Sequence, residues 1–395
     1  MPPLPVQPVD HQHLSEVQLV TVEQHDVVRH VTKGEVGLLR GTEAAMLEME
    51  MVARAMPKVL LHEHLDGGLR PSTLLELLVS RNMATPAPCA TTLTTWFRDR
   101  AHSGSLPAYL SSFALTIAAM ASPEALERVA FEAAEDAWHD GVVLAEFRAD
   151  PLAFEAYGVS GEDAVEAMLR GLARSELPNG LIVCGMRETP EERVMRAAEL
   201  AARYAGMGVV GFDLAGPEFG FPATTHARAL RVALDAGLGL TLHAGEADGP
   251  ERVLEAVRLG ARRVGHGVRL GDVLMDPGMA SLLEEAKAKD VHLEVCPTSN
   301  VHTGAVASVA GHPVVELWRA GVSVSFHTDN RLMSGVTHSG EALALMMDAG
   351  LSEEDLVRMS MEAARHSFLA EEVRSAAVEK IRKFSSRRGG SVLVE

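Results

Sequence analysis

Residues 58–67 read Lys-Val-Leu-Leu-His-Glu-His-Leu-Asp-Gly. An apolar run that closes on polar residues has the pattern of a short strand, and side chains alternate faces along a strand. His62 and His64 therefore share one face, and Glu63 between them points to the other. Two imidazoles at that spacing can hold one metal ion, since imidazole is the commonest metal ligand. The same pair also suits a half-buried strand with no ligand, and the short pattern alone leaves both readings open.

Working outward from this stretch, a rhythm appears. Short runs rich in apolar and β-branched residues recur at 59–64, 142–148, 181–186, 209–214, 238–243, 262–266, 291–296 and 322–327. Helix-like stretches separate them, at 191–205, 223–236, 250–259 and 278–289 for example. Strand-helix alternation argues for βαβ units and a parallel sheet. Eight such repeats predict a closed α/β architecture, the (β/α)8 TIM barrel. Between the first and second strands, helical patterns at 72–81, 93–100, 106–120 and 122–140 predict a helical insertion over 67–141. It follows strand one at the C-terminal face, where barrel active sites sit and a helical lid can exclude water. The expected organisation is an N-terminal extension over 1–50, Pro-rich and partly disordered, a barrel over 51–385 with extra terminal helices from 352, and a charged tail over 386–395. His11, His13, His25 and His30 in the extension read as solvated or loosely packed.

Composition limits the partners. The 395 residues are 47% hydrophobic but only 4% aromatic, so the core is built mainly from Leu, Val, Ala and Met. The formal net charge of −18 argues against a nucleic-acid backbone or an anionic membrane as partner and favours a small uncharged or cationic substrate. Three scattered cysteines, Cys89, Cys184 and Cys296, contain no Cys-x-x-Cys, so any metal site must use His and carboxylates. The N-terminus lacks the pattern of a signal peptide, and no charge-free apolar run approaches a membrane span. The expectation is a soluble, cytoplasmic protein whose oligomeric state the sequence leaves open.

Polar residues collect at the ends of the predicted strands: His62 and His64 on strand one, Asp213 on four, His243 on five, His266 on six, and Asp329 after eight. In a parallel barrel these ends converge on one face. His62, His64, His243 and Asp329 make a donor set of three nitrogens and an oxygen that suits Zn²⁺ with one open position, and also Fe²⁺, Mn²⁺ or Co²⁺. Glu246 is placed equally well as a general acid/base or as a carboxylate at the start of the helix that Asp248, Gly249 and Pro250 announce. His266 can orient a water or be a packed histidine bonded to backbone. There is no His-Glu-x-x-His of a helix-borne metalloprotease and no Pro-Cys-x-x-Cys of a cytidine-type zinc deaminase.

Six motifs in order resemble the adenosine deaminase family of the amidohydrolase superfamily: His62-Glu-His64-Leu-Asp66-Gly67, Asp213-Leu-Ala-Gly216, His243-Ala-Gly-Glu246, Val264-Gly-His266-Gly267, Cys296-Pro-Thr-Ser-Asn300 and Thr328-Asp329-Asn330. They span roughly residues 58–335. The resemblance implies hydrolytic deamination of adenosine and 2′-deoxyadenosine, with one Zn²⁺ held by His62, His64, His243 and Asp329. It implies Glu246 as proton donor to purine N1, and His266 with Asp329 orienting and deprotonating the attacking water. His64, Asp66, Gly216 and Asn330 would bind a small-molecule purine nucleoside, Gly216 through N3, Asp66 through a ribose hydroxyl and Asn330 through N7. Three positions depart from the family's pattern: Asn330 where Asp is common, Pro217 where an acid is common, and His327 where Asn is common and which reads as a side chain of the barrel layer. The rivals are a sister deaminase acting on adenine, a modified adenosine or an N6-substituted AMP, a non-catalytic relative used in binding or signalling, and a metal-assisted amide or phosphoester hydrolase on the same barrel.

Overall fold

The computed structural model describes residues 45–388. The proposed extension with its four histidines and the end of the basic tail lie outside them, apart from residues 45–50 and 386–388. Residues 45–49 are helical and belong to an N-terminal unit that ends at Met49, and the second unit begins at Glu50. That second unit carries all that follows.

Eight parallel strands form one sheet in sequence order: β1 Lys58–His64, β2 Val142–Ala149, β3 Asn179–Met186, β4 Val209–Ala215, β5 Gly239–Ala244, β6 Arg263–His266, β7 His292–Val295 and β8 Ser323–Phe326. The curl closes where β1 meets the segment after β8. The His64 N–H donates to the Asp329 carbonyl at 2.8 Å, and the Asp329 N–H donates to that of His62 at 3.0 Å. The protein is a (β/α)8 barrel. Each strand end lies within two residues of the predicted run. Strand β7 stops at Val295 because Pro297, lacking an N–H, starts the short helix Pro297–His302.

The predicted helices are present, several of them broken. The 106–120 stretch divides into Leu106–Leu110 and Phe113–Met120, and the terminal stretch divides into Glu353–His366 and Glu371–Arg387. Helix Pro123–His139 shows how the crossover from β1 to β2 is built. Ser122 accepts the Ala125 N–H at its N-cap, and Pro123 occupies the first turn. Leu126, Val129, Ala130, Ala133, Ala134 and Ala137 then recur at helical spacing and are buried. Gly141 at φ 82° turns the chain into β2. Among the described residues no single helix is long and apolar enough to cross a membrane.

The outward-facing strand residues, such as Ala145, Phe147, Val183, Phe212, Leu242 and Val264, are buried under the helices. Inside, the barrel is filled largely by ions. Arg148 bonds Asp213 at 2.8 Å and Glu294 at 2.7 Å, and Arg263 bonds Glu294 at 2.5 Å and forms an ion pair with Glu146 at 2.7 Å, all of them fully buried. Phe368 plugs the N-terminal end beneath them, with the Arg263 guanidinium 3.7 Å from its ring centroid. A Cβ on Gly239 would stand 2.3 Å from that ring, so only glycine admits the plug.

Candidate active site

The ion layer is the floor of the site. Burial alone would raise the carboxyls of Asp213 and Glu294. Arg148 and His243 outweigh it at Asp213, and Arg148 and Arg263 at Glu294, so both are held well below the usual carboxylate range. Two fixed carboxylates then set two histidines. His62 Nδ1 lies 2.9 Å from Glu294, and His243 Nδ1 lies 2.9 Å from Asp213. An ionised carboxylate can only accept, so each Nδ1 carries the proton and each Nε2 keeps its lone pair.

Those lone pairs converge. His62 Nε2 and His64 Nε2 each lie 3.4 Å from Asp329 Oδ1, and His64 Nε2 lies 3.2 Å from His243 Nε2. One donor atom from each of the four residues falls within 4.8 Å of the others. His62 Nε2 is buried without a hydrogen-bond partner. Burial holds His64 well below its ordinary value and so neutral, as a ligand must be. Three imidazole nitrogens and a carboxylate around one point fit a divalent metal ion. Asp329 sits at φ 55° and His266 at φ 64°, a left-handed region that costs a non-glycine residue roughly 1–2 kcal/mol. Ser299 holds Asp329 by donating to Oδ2 at 2.6 Å.

Glu246 stands beside this point, 4% exposed. The helix after it begins only at Glu251, so the reading of Glu246 as a first-turn carboxylate falls away. Thr303 donates to its Oε1 at 2.9 Å, and His266 Nε2 approaches Oε2 at 3.6 Å. Asn300 donates to His266 Nδ1 at 3.0 Å, which places the histidine proton on Nε2. His266 is therefore oriented by a side chain, not by backbone. Asp66, Gly216 and Asn330 join them around a cavity of about 320 Å³. Burial pushes Asp66 up to about 7, and its Oδ1 has no partner. The Asn330 side chain lies where a Cβ on Gly67 would be, 1.9 Å from Oδ1. Leu106, Tyr109, Leu110, Phe113 and Ile117 form an apolar wall from the insertion after β1.

All nine residues singled out in the sequence meet here. His327 does not: its Nδ1 accepts the Leu61 N–H at 3.1 Å and its Nε2 meets Ser325 at 2.6 Å, inside the barrel. Sequence reasoning gave no role to Glu294, Arg148, Ser299, Asn300 or Thr303. Ser299 and Asn300 lay within a quoted motif. Glu294 was detectable as a carboxylate two residues from His292, on the inward face of a strand whose other face is apolar. A larger depression of about 840 Å³ opens at the opposite end of the barrel, around Val291, Val322 and Ser323, far from this chemistry.

The fold and the convergent His₃Asp group define a metal-site barrel hydrolase, and similarity to known proteins specifies it. The family model described as Adenosine deaminase matches residues 57–384. An adenosine deaminase of Mycobacterium avium is 42% identical over 359 residues, covering 86% of this chain and 97% of that protein. Among solved structures, an adenine deaminase from Arthrobacter aurescens shares the fold at a TM-score of 0.77 and 24% identity, covering 84% of this chain and all of that one. The N6-methyl-AMP deaminase from Arabidopsis thaliana aligns at a TM-score of 0.72 and 25% identity, covering 86% and 99%. The chain belongs to the adenosine deaminase family of the amidohydrolase superfamily, hydrolases that deaminate adenosine-like purines.

Proposed function

We propose that the protein is a zinc-dependent deaminase that converts adenosine and 2′-deoxyadenosine to inosine and 2′-deoxyinosine in purine salvage. The observation that carries this reading is the placement of Glu246 and His266, buried side by side, against the convergent nitrogens of His62, His64 and His243. His62, His64, His243 and Asp329 would hold the zinc, which when bound would supply Lewis acidity that brings the pKa of water toward neutrality. The protein's own groups do the rest. Glu246 gives a proton to purine N1, which makes C6 electrophilic and is strongest where charge develops. Thr303 keeps one carboxyl oxygen occupied and leaves the other free for that proton. His266 orients the attacking water through its Nε2–H, and Asp329 takes the water's proton. The Gly216 N–H meets N3, the Asn330 amide donates to N7, and His64 and Asp66 bound the sugar. The apolar wall from Leu106 to Ile117 excludes bulk water.

The far part of the cavity favours a nucleoside over a nucleotide. Asp66, Asp150 and Glu188 line it, and its one guanidinium, Arg193, is tied to Asp150 at 2.8 Å. A 5′-phosphate would meet three carboxyl groups and no free cation among the described residues.

An ultraviolet assay with adenosine, 2′-deoxyadenosine, adenine, AMP and N6-methyl-AMP tests the reading. Conversion of both nucleosides, lost on chelation and restored by Zn²⁺, is the expected result. Turnover of AMP or adenine in preference to adenosine would overturn it.

A further inference from the structure

One buried carboxylate at the site is used by none of the steps above. Glu218 follows β4 in the run Asp213-Leu-Ala-Gly-Pro-Glu218 and is 3% exposed. Its Oε1 accepts the Gly245 N–H at 2.6 Å. Its Oε2 accepts those of Glu246 at 3.0 Å, Ala247 at 2.8 Å and Asp248 at 3.1 Å. No backbone carbonyl of the described residues accepts from these four N–H groups. They are consecutive, and they span the turn between His243 on β5 and the helix Glu251–Arg258. Gly245 at φ 66° bends that turn so that successive N–H groups point to one spot. Both oxygens accept, so four N–H donors converge on the one side chain.

A second brace reaches the same strand ends. Arg187, buried at the end of β3, donates to the carbonyls of Leu214, at 2.9 Å, and His243. Strands β4 and β5 are thus locked together immediately before the loop that Glu218 holds. The Glu246 side chain leaves a backbone whose own N–H is one of the four bonded groups.

We propose that Glu218 is a positioning residue: by gathering the four N–H groups of 245–248 on one carboxylate, it fixes the loop that aims Glu246 at the purine. This rests on the reading of Glu246 as proton donor. Glu218→Gln keeps the shape but turns an NH₂ group toward either one or three N–H donors, so the loop loses its common acceptor. A proton donor displaced by about 1 Å loses on the order of 10²-fold in rate, and the effect falls on turnover because no contact to the bound nucleoside is removed.

The test compares wild type, Glu218→Gln, Glu218→Asp, Glu246→Gln and the Glu218→Gln/Glu246→Gln double variant. Glu218→Gln is expected to lower kcat about 10–100-fold, with KM within about threefold and one zinc retained per chain. In the Glu246→Gln background the same change should cost less than about threefold, since a residue acting through another adds nothing once that other is gone. Amide hydrogen exchange over 245–248 should rise about tenfold or more in Glu218→Gln. Wild-type kcat, losses that multiply in the double variant, or loss of zinc overturns the proposal. Should the Gln variant not fold, Glu218→Asp, whose carboxylate is drawn back by one methylene, must show the same pattern at smaller amplitude; wild-type turnover and exchange in it overturn the proposal equally. The exchange measurement needs no substrate, so a failure to deaminate adenosine sinks the functional reading while the loop is still judged by its own amides.

Discussion

The barrel holds two groups of buried histidines, and they differ in how their nitrogens end. At the C-terminal mouth, carboxylates hold the Nδ1 atoms of His62 and His243, and their Nε2 atoms meet His64 and Asp329 at one point. Deeper inside, His327 accepts from the Leu61 N–H and meets Ser325, and Ser325 meets His292 Nε2 at 2.7 Å, whose Nδ1 meets Ser323 at 2.8 Å. Burial holds both inner histidines well below the ordinary value, hence neutral. Burial is therefore common to both groups. The difference is that the inner histidines spend both nitrogens on backbone and serine partners inside the barrel, while His62 and His243 spend Nδ1 on a carboxylate and turn Nε2 to a common point.

That contrast can be broken at several depths. Chelation, or His62→Ala, should remove zinc and abolish turnover, read by metal analysis and the nucleoside assay; zinc retained in His62→Ala would place the metal elsewhere. Glu246→Gln should keep zinc and lose about 10²–10⁴-fold in kcat, and retained activity would remove it from the chemistry. Glu294→Gln deprives His62 Nδ1 of its charged acceptor and should weaken zinc about 10–100-fold by competition titration. The inner group predicts the reverse: His327→Asn should cost about 1–3 kcal/mol in urea unfolding while zinc stoichiometry stays at wild type.

The smallest effect sharpens the comparison among carboxyls. Asp213 and Glu294 have Arg148 beside them, whereas Glu341, 1% exposed, has no ion-pair partner among the described residues, and burial pushes it up to about 7. Between its ordinary value and about 7, the folded state holds a proton that the unfolded chain has released. Its contribution to stability is therefore greatest below the ordinary value and is lost as pH rises toward 7. Glu341→Gln, whose oxygen can still accept from the Thr298 N–H, should gain about 1–3 kcal/mol relative to wild type between pH 5 and 8. An unchanged difference across that range would show that Glu341 ionises freely.

Much of this was legible in the chain. The strand rhythm and the strand-end positions of His62, His64, His243, His266 and Asp329 follow from local pattern, because a parallel barrel brings every strand end to one face whatever its loops do. The six motifs supplied roles that spacing left open at Glu246 and His266. The helical break at 111–112 was not legible, since the flanking patterns are helical on both sides. Nor were the partners of the site residues. Glu63, read from β1 as pointing away from the histidines, accepts from Thr328 at 2.8 Å and Arg331 at 2.7 Å across the barrel seam.

By itself, then, the sequence determined the architecture and the identity of the groups that meet, because periodicity and strand polarity are local properties. Only the tertiary structure decided which nitrogen of each histidine is free, which carboxyl is ionised, and which carboxylate holds the Glu246 loop. Those depend on contacts between residues far apart in the chain, such as His62 with Glu294 and Glu218 with Gly245, and on the loss of water that makes each such contact decisive.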